Sequence, residues 1–264
     1  MVMSLLMLAA FATAPITCAP PEGAQALVSR ESLRWLLLGE DGHGTEEMPR
    51  TTADLVCAAA AAHRPVIVGV EFAFRNQSAL DAYMASDGGS AARAALLGAP
   101  MWDPDWADGK SSQAMLTLLE WLRVQHRRGF VSGVVAFDPD IIRNGADREQ
   151  QMAQRLQTAA PGENGLFIAL TGSYHARTRL SDAGTTPYPP MATLLPRAQT
   201  VSIRVQGSGG HNWSCTERGC GEQDAGQTGG AVRRLSLRPT PDGGYDGEYD
   251  LGVPVTASPP VKQK

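Results

Sequence analysis

Four short apolar runs alternate with segments of helical character, and this alternation constrains the fold more than any other feature of the chain. Each run is apolar on both faces, as is typical of the buried strands of a parallel sheet. Because helical segments connect the runs, the pattern predicts an α/β fold with a mostly parallel central sheet and helices on both faces. The predicted strands are residues 33–38, 66–72, 131–137 and 166–170, and the predicted helices are residues 46–63, 77–85, 90–97, 111–128 and 147–159.

The C-terminal part of the chain differs, because it is rich in glycine, proline and threonine. Residues 200–205 and 232–237 are predicted as extra strands, and the Gly-rich residues 207–230 between them as irregular surface. The sequence contains no internal repeat and no interdomain linker. A chain of 264 residues is therefore predicted to form a single domain over residues 27–253, followed by a flexible tail at 254–264.

The charge balance excludes several classes of partner. The sequence has 23 Lys and Arg against 27 Asp and Glu, which gives a net charge of −4. A chain with this balance lacks the basic surface that binds nucleic acid or anionic lipid. Hydrophobic residues make up 43% of the chain, enough to bury a full core. We therefore expect a globular protein that acts on a small-molecule or peptide substrate, with no nucleic-acid partner.

The N-terminus predicts export. Residues 1–19 carry no charge and contain an apolar run, residues 5–11, which has the length of a signal-peptide core and is too short to span a bilayer. The small residues Ala24 and Ala26 match the preference of signal peptidase, so residues 1–26 are predicted to be a signal peptide that is cleaved before Leu27. The protein is then secreted or periplasmic, with no stable membrane span.

The cysteines agree with an exported chain. Cys215 and Cys220 flank a short polar loop, and this spacing predicts a disulfide. A metal site with His211 as a further ligand is the alternative, but the neighbouring sequence offers no fourth ligand. Cys57 lies in an alanine-rich helical segment, where a buried thiol without chemistry is expected.

Ionisable residues lie at the ends of all four predicted strands. Glu40 and His43 follow the first strand, Glu71 lies in the second, Asp138 follows the third and His175 follows the fourth. The carboxyl ends of parallel strands share one edge of an open sheet, where such folds bind their ligands. We therefore expect Glu40, His43, Glu71 and His175 to form one site. Asp138 either orients a histidine of that site or caps the next segment.

Three short motifs resemble those of the superfamily that contains erythromycin esterases, ChaN-like haem-uptake proteins and Tiki-type proteases. The resemblance covers residues 33–177, and the spacing from Gly39 to His43 is similar to that of the esterase branch. It implies the same four site residues, with His43 as the general base of an esterase-like reaction. The chain lacks the large helical additions of the esterases, so a macrolide substrate is not expected. The motifs are Leu38-Gly39-Glu40 with His43-Gly44, Val68-Gly69-Val70-Glu71 and Gly172-Ser173-Tyr174-His175-Ala176.

These residue types allow two hydrolytic mechanisms. In the first, a neutral His43 held by Glu40 or Glu71 activates water, which attacks an ester or related carbonyl. His175 or Arg177 then stabilises the oxyanion. In the second, the four site residues bind a divalent metal, Zn²⁺ or Mn²⁺, which acidifies its own water.

A haem-binding protein without catalysis is the alternative from another class. His175, Tyr174 or His43 would then supply an axial ligand. This alternative leaves Glu40 and Glu71 without a role, whereas a hydrolase uses all four residues. The sequence therefore predicts a hydrolase-like protein, with haem or metal binding as the alternative.

Overall fold

The computed structural model describes residues 16–106, 108–180, 188–217 and 219–262, and its centre is a seven-stranded sheet. The strands are β1 (Trp35–Glu40), β2 (Val66–Ala73), β3 (Val131–Asp138), β4 (Leu166–Gly172), β5 (Thr200–Gln206), β6 (His211–Thr216), β7 (Gly219–Asp224), β8 (Arg234–Ser236) and β9 (Gly247–Asp250). The helices are α1 (Ala24–Val28), α2 (Glu47–Ala61), α3 (Gln77–Ala85), α4 (Ser90–Leu97), α5 (Gln113–Arg127), α6 (Gly145–Thr158) and α7 (Ser173–Ala176).

The sheet has the strand order β3-β2-β4-β1-β5-β9-β8. Neighbouring strands are parallel from β3 to β9, and the edge strand β8 is antiparallel to β9. Strand β1 lies between β4 and β5, with Leu38 opposite both Leu170 and Ile203. The carboxyl ends of the first four strands therefore lie along one edge. The predicted α/β fold with a mostly parallel sheet is confirmed.

Both faces of the sheet are covered. Leu36 and Leu38 of β1 belong to the larger apolar core, to which α2, α3 and α5 contribute, whereas Leu37 belongs to a second core with residues of α6. Successive side chains of a strand point to opposite faces, so all three leucines are fully buried. This layering explains why the central strands are apolar on both sides.

Parts of the Gly-rich region form strands that the sequence did not predict. Strands β6 and β7 pair as an antiparallel ribbon, although the composition of residues 207–230 predicts irregular surface. Strand β9 joins the sheet beside β5, and the strand predicted at 232–237 is limited to β8. Short polar strands carry no apolar alternation, so their pairing depends on the partner strand rather than on a local pattern.

The segment before β1 is part of the fold. Helix α1 buries Ala24, Leu27 and Val28, and a disulfide joins Cys18 to Cys57 of α2. Cleavage before Leu27 would divide this helix and remove the partner of Cys57, so the predicted cleavage point does not agree with the structure. The expected free thiol at Cys57 is also wrong. Residues 1–15, which carry most of the predicted signal peptide, lie outside the described residues.

Residues 254–262, here called the C-terminal strap, pack on the protein instead of forming the expected flexible tail. Ser258 is buried and donates its N–H to the carbonyl oxygen of Gly44 at 2.8 Å. Its hydroxyl accepts the N–H of Ala114 in α5 at 3.0 Å. The strap is held largely by such backbone bonds, which leave no apolar periodicity in the sequence.

The second disulfide joins Cys215 to Cys220 at the end of the β6–β7 ribbon, as their spacing predicts. All four cysteines of the sequence are therefore disulfide-bonded. Within the described ranges, the helices are too short or too polar to cross a bilayer.

Candidate active site

The carboxyl end of β1 carries the first part of the site. Glu40 ends the strand, and the following loop turns back so that His43 Nδ1 lies 2.6 Å from Glu40 Oε1. The turn needs glycine at Gly44, where φ is 77° and a Cβ would lie 2.3 Å from the carbonyl oxygen of Trp213. Asn212 Nδ2 donates to the carbonyl oxygen of His43 at 3.2 Å. His43 is thus held at both its side chain and its backbone.

The second histidine of the site is held in the same way. Strand β4 ends at Gly172, and α7 then places His175 beside Glu149 of α6. His175 Nδ1 lies 2.7 Å from Oε1 and 2.9 Å from Oε2 of Glu149, which also accepts the N–H of Met191. A carboxylate at Nδ1 favours the tautomer with the proton on that nitrogen. The Nε2 atom of His175 is left to face the cleft.

Glu71, near the end of β2, lies between the two histidines. The Nε2 atoms of His43 and His175 are each 3.8 Å from the same oxygen, Glu71 Oε1. The other oxygen, Oε2, accepts the Thr171 hydroxyl at 2.7 Å and the Gly172 N–H at 2.8 Å. A separation of 3.8 Å is too long for a direct hydrogen bond, so both imidazoles face this oxygen without bonding to it.

Two cations contact the Glu71 carboxylate. Arg148 of α6 donates Nη2 to Glu71 Oε1 at 2.9 Å, and Lys110 Nζ lies 3.6 Å from that oxygen and 3.2 Å from Asp108. Asp138, the last residue of β3, accepts from Arg148 Nε at 2.8 Å and from Nη2 at 2.9 Å. Asp138 therefore orients an arginine of the site rather than a histidine.

The charges of the site follow from these contacts. Burial alone would raise the pKa of Glu71, but the two histidines, Lys110 and Arg148 hold that pKa well below its usual range. Burial alone would lower the pKa of His43, but the carboxylates of Glu40 and Glu71 raise it to about 9. At neutral pH, an ionised Glu71 therefore faces an imidazolium at His43.

The structure brings the four predicted residues together, whereas the polar groups of Arg177 and Tyr174 are engaged by other residues. Arg177 Nη2 pairs with Asp242 at 2.9 Å, and its guanidinium lies 5.6 Å from the centre of the Tyr245 ring. These partners, rather than an oxyanion in the cleft, hold Arg177. The hydroxyl of Tyr174 donates to the carbonyl oxygen of Tyr188.

Sequence reasoning missed Lys110, Arg148 and Glu149. Arg148 and Glu149 are consecutive residues in the first part of α6, where charged side chains are common, yet one contacts Glu71 and the other contacts His175. Helix α6 follows the carboxyl end of β3, and a helix in this position begins near the edge of the sheet where ligands bind. This position is the sequence signal that points to Arg148 and Glu149. Lys110 lies in a loop between helices, and no strand end marks it.

The donor set does not fit a divalent metal. Among the described residues, no three His, Cys, Asp or Glu side chains converge as ligands of one ion. The Nδ1 atoms of both histidines face carboxylates, and Glu71 Oε1 is bonded to Arg148 and lies beside Lys110. These two cations oppose a third positive charge at the central carboxylate.

The same contacts do not fit an axial ligand of haem. The hydroxyl of Tyr174 is used by Tyr188, and Nε2 of His175 faces the Glu71 carboxylate. The His175 side chain is 10% exposed. The Nε2 atom of His43, the third expected ligand, faces the same carboxylate.

Neither a protein-family profile nor a curated protein matches the sequence, but several solved structures share its fold. A succinoglycan biosynthesis protein aligns with a TM-score of 0.65 and 10% identity over 90% of this chain and 91% of its own. A Bacillus cereus protein aligns with a TM-score of 0.58 and 11% identity over 94% and 96% of the two chains.

A mutant of erythromycin esterase EreC in its open conformation aligns with a TM-score of 0.62 and 13% identity. The alignment covers 87% of this chain and 92% of the esterase chain. At such identities the likeness shows the fold, whereas the activity has to be argued from the site. The chain has the α/β fold that erythromycin esterase shares with these proteins, as the resemblance of its three short motifs predicts.

Proposed function

We propose that this chain is an exported hydrolase that activates water beside Glu71 for attack on an ester or related carbonyl. The observation that carries the proposal is the convergence of two histidines on Glu71 Oε1. Each Nε2 atom is 3.8 Å from that oxygen, and each Nδ1 atom is held by a separate carboxylate. Two fixed imidazoles at one point supply an acid and a base for the same reaction.

His175 is the general base in this proposal. The sequence-based mechanism uses a neutral His43, but a histidine with a pKa of about 9 carries a proton at pH 7. His175 Nδ1 faces Glu149 and its Nε2 faces Glu71 Oε1, so His175 is placed to accept a proton from a water beside that oxygen. His43 is therefore assigned the role of proton donor.

The proposed reaction is a balanced hydrolysis. The water oxygen forms a bond to the acyl carbon while His175 takes one water proton. The charges of His43 and Lys110 stabilise the negative carbonyl oxygen that develops. When the bond from carbon to the leaving oxygen breaks, His43 gives its Nε2 proton to that oxygen. The products are a carboxylic acid and an alcohol, and the proton on His175 returns to His43 through solvent.

Export is part of the proposal because all four cysteines are disulfide-bonded. Disulfides persist in the periplasm and outside the cell and are rare in the cytosol. This supports the secreted or periplasmic location that the apolar N-terminal run predicts.

The test uses purified protein and a panel of p-nitrophenyl acyl esters. His175→Gln removes the base and is expected to lower kcat by on the order of 10²–10⁴-fold. Glu149→Gln removes the charge that orients His175, and we expect a loss of roughly 10–100-fold. EDTA should leave the activity unchanged.

The matched control is His126→Gln, because His126 Nδ1 contacts the carbonyl oxygen of Val131 and lies outside the site. This variant should keep its activity. The proposal fails if the wild-type protein hydrolyses no ester of the panel, or if His175→Gln is folded and fully active.

A further inference from the structure

A cavity of about 280 Å³ adjoins the loop that carries His43. Asp41 and Gly42, which directly precede His43, form one part of its wall. The end of β5, the β6–β7 ribbon with the glycine-containing loops beside it, Thr45, Met48 of α2 and Val255 of the C-terminal strap form the rest. The cavity therefore lies at the same edge of the sheet as the candidate active site, and Asn212 both lines it and bonds to His43.

One face of the ribbon supplies many of the polar groups of the cavity. Asn212, Ser214 and Thr216 alternate along β6, so they share a face. Ser214 and Thr216 lie opposite Gly221 and Gly219 of β7. A Cβ at either glycine would meet no atom within 4 Å, so this face of the ribbon is open.

The cavity offers neutral hydrogen-bonding groups, and its two carboxylates already have partners. Asp41 accepts from Arg204 Nη2 at 2.8 Å, and Asp224 accepts the N–H of Gly226 at 2.8 Å. The described residues that line the cavity include no Lys, Arg, His or aromatic side chain. A wall of this kind has no cation to bind an anion and favours a neutral ligand rich in hydroxyl groups.

We propose that this cavity binds one neutral sugar ring. Each sugar hydroxyl donates and accepts, as the Ser, Thr, Asn and Gln side chains of the wall require. Small-molecule sites begin at about 300 Å³, so the cavity suits a single ring-sized group.

Because the cavity adjoins the backbone of the loop that carries His43, we assign the sugar as the alcohol part of the ester, which makes the substrate class an acylated carbohydrate. Hydrolysis then adds water to the acyl carbon and releases a carboxylic acid and a sugar hydroxyl. This substrate class rests on the proposed function, whereas the binding of the sugar does not.

Saturation-transfer NMR tests the binding directly. The probes are methyl α-D-glucopyranoside, methyl α-D-galactopyranoside and N-acetyl-D-glucosamine, with D-glucuronate as the charged comparator. The wild-type protein and His175→Gln should both bind at least one neutral sugar saturably. Glucuronate should bind at least tenfold more weakly than that sugar.

Gly221→Leu places a side chain on the open face beside Ser214, at a position where φ is not left-handed. We expect at least tenfold weaker sugar binding. Ser214→Val, on the same face, serves the same purpose if the leucine variant does not fold. Glu222→Leu is the matched control, because Glu222 is exposed on the other face, opposite Trp213, and it should bind as the wild type does.

The inference is overturned if no neutral sugar binds saturably, if glucuronate binds best, or if folded Gly221→Leu and Ser214→Val bind as the wild type does. Its failure can be told apart from failure of the proposed function. Hydrolysis of p-nitrophenyl esters without sugar binding overturns the sugar site alone. Sugar binding without hydrolysis of any ester overturns the proposed function and leaves the sugar site supported.

Discussion

The two histidines of the site differ in their surroundings, although the Nδ1 atom of each faces a glutamate. Glu40 lies at His43 Nδ1 and Glu149 lies at His175 Nδ1. The His43 side chain is 23% exposed, whereas that of His175 is 10% exposed. The more exposed histidine suits the transfer of a proton to a leaving group at the mouth of the cleft. The deeper histidine suits the activation of a water held by Glu71.

The pKa of His43 predicts a pH dependence of both stability and activity. Because folding raises this pKa from 6.5 to about 9, the stabilisation from His43 is fully present below pH 6.5 and is lost as the pH rises to 9. Activity that needs the imidazolium should fall near pH 9. Glu40→Gln should move this fall in the pH–rate profile to lower pH.

Glu46→Gln is the control for this measurement, because Glu46 is exposed and does not contact His43 in the described structure. It should leave the profile unchanged. A profile that is the same in Glu40→Gln and in the wild type would contradict the assignment of His43 as the proton donor.

Gly172 lies where the groups of the proposed reaction converge. A Cβ at this position would lie 3.5 Å from His175 Cδ2, 3.6 Å from His43 Nε2 and 3.8 Å from Glu71 Oε2. These are ordinary contacts, and a φ of −58° suits alanine. We expect Gly172→Ala to keep its thermal midpoint and to lose about 100-fold in kcat/KM, because the methyl group displaces water and substrate.

Gly162→Ala is the matched control, because a Cβ there meets nothing within 4 Å and the residue precedes β4 at the opposite end of that strand. It should retain full activity. Full activity in Gly172→Ala would show that the reaction does not occur between these three side chains.

At the scale of elements, the loop after β1 is positioned by segments far along the chain. The ribbon contacts it through the N–H of Trp213, which donates to the carbonyl oxygen of Gly44 at 2.9 Å. The C-terminal strap adds the bond from Ser258 to the same oxygen and also contacts the start of α5, close to Lys110. The ribbon and the C-terminal strap, which show no regular sequence pattern, therefore fix the positions of the loop after β1 and of the loop that carries Lys110.

Ser258→Ala tests this role of the strap. The substitution leaves the N–H of Ala114 without its acceptor, so we expect the free energy of unfolding to fall by about 1–2 kcal/mol in a urea titration. Lys262→Ala, an exposed position of the same strap, is the control and should change little. Equal stability of Ser258→Ala and the wild type would show that the strap does not support α5.

At the scale of the whole molecule, the Cys18–Cys57 disulfide ties the N-terminal segment to α2, and α1 completes the main core. The bond links residues 39 positions apart, whereas Cys215 and Cys220 are 5 positions apart. A longer closed loop removes more entropy from the unfolded chain. The first disulfide should therefore contribute more to stability than the second.

Cys57→Ala is expected to lower the free energy of unfolding by about 2–4 kcal/mol, as measured in urea, with little change in ester hydrolysis. The double variant Cys215→Ala and Cys220→Ala provides the comparison, and its loss should be smaller. A larger loss in the double variant would contradict the assignment of the first disulfide as the main covalent stabiliser.

The sequence by itself determined the α/β class, the approximate positions of the central strands and the convergence of Glu40, His43, Glu71 and His175 at one edge of the sheet. These features are encoded locally, because a buried parallel strand is apolar on both faces and its end is marked by the first polar residues. Parallel strands then bring their carboxyl ends to one edge whatever the details of packing.

Only the tertiary structure decided which groups surround those four residues and in what charge state. Glu149, Arg148 and Lys110 reach the site from α6 and from a loop, and their sequence context is that of ordinary surface residues. The ribbon forms by pairing of β6 with β7, and the C-terminal strap forms by backbone bonds to distant segments; neither leaves an apolar periodicity in the sequence. The pKa of His43 depends on burial and on carboxylates that meet it only after folding, so the proton-donor role proposed for it rests on the packed molecule.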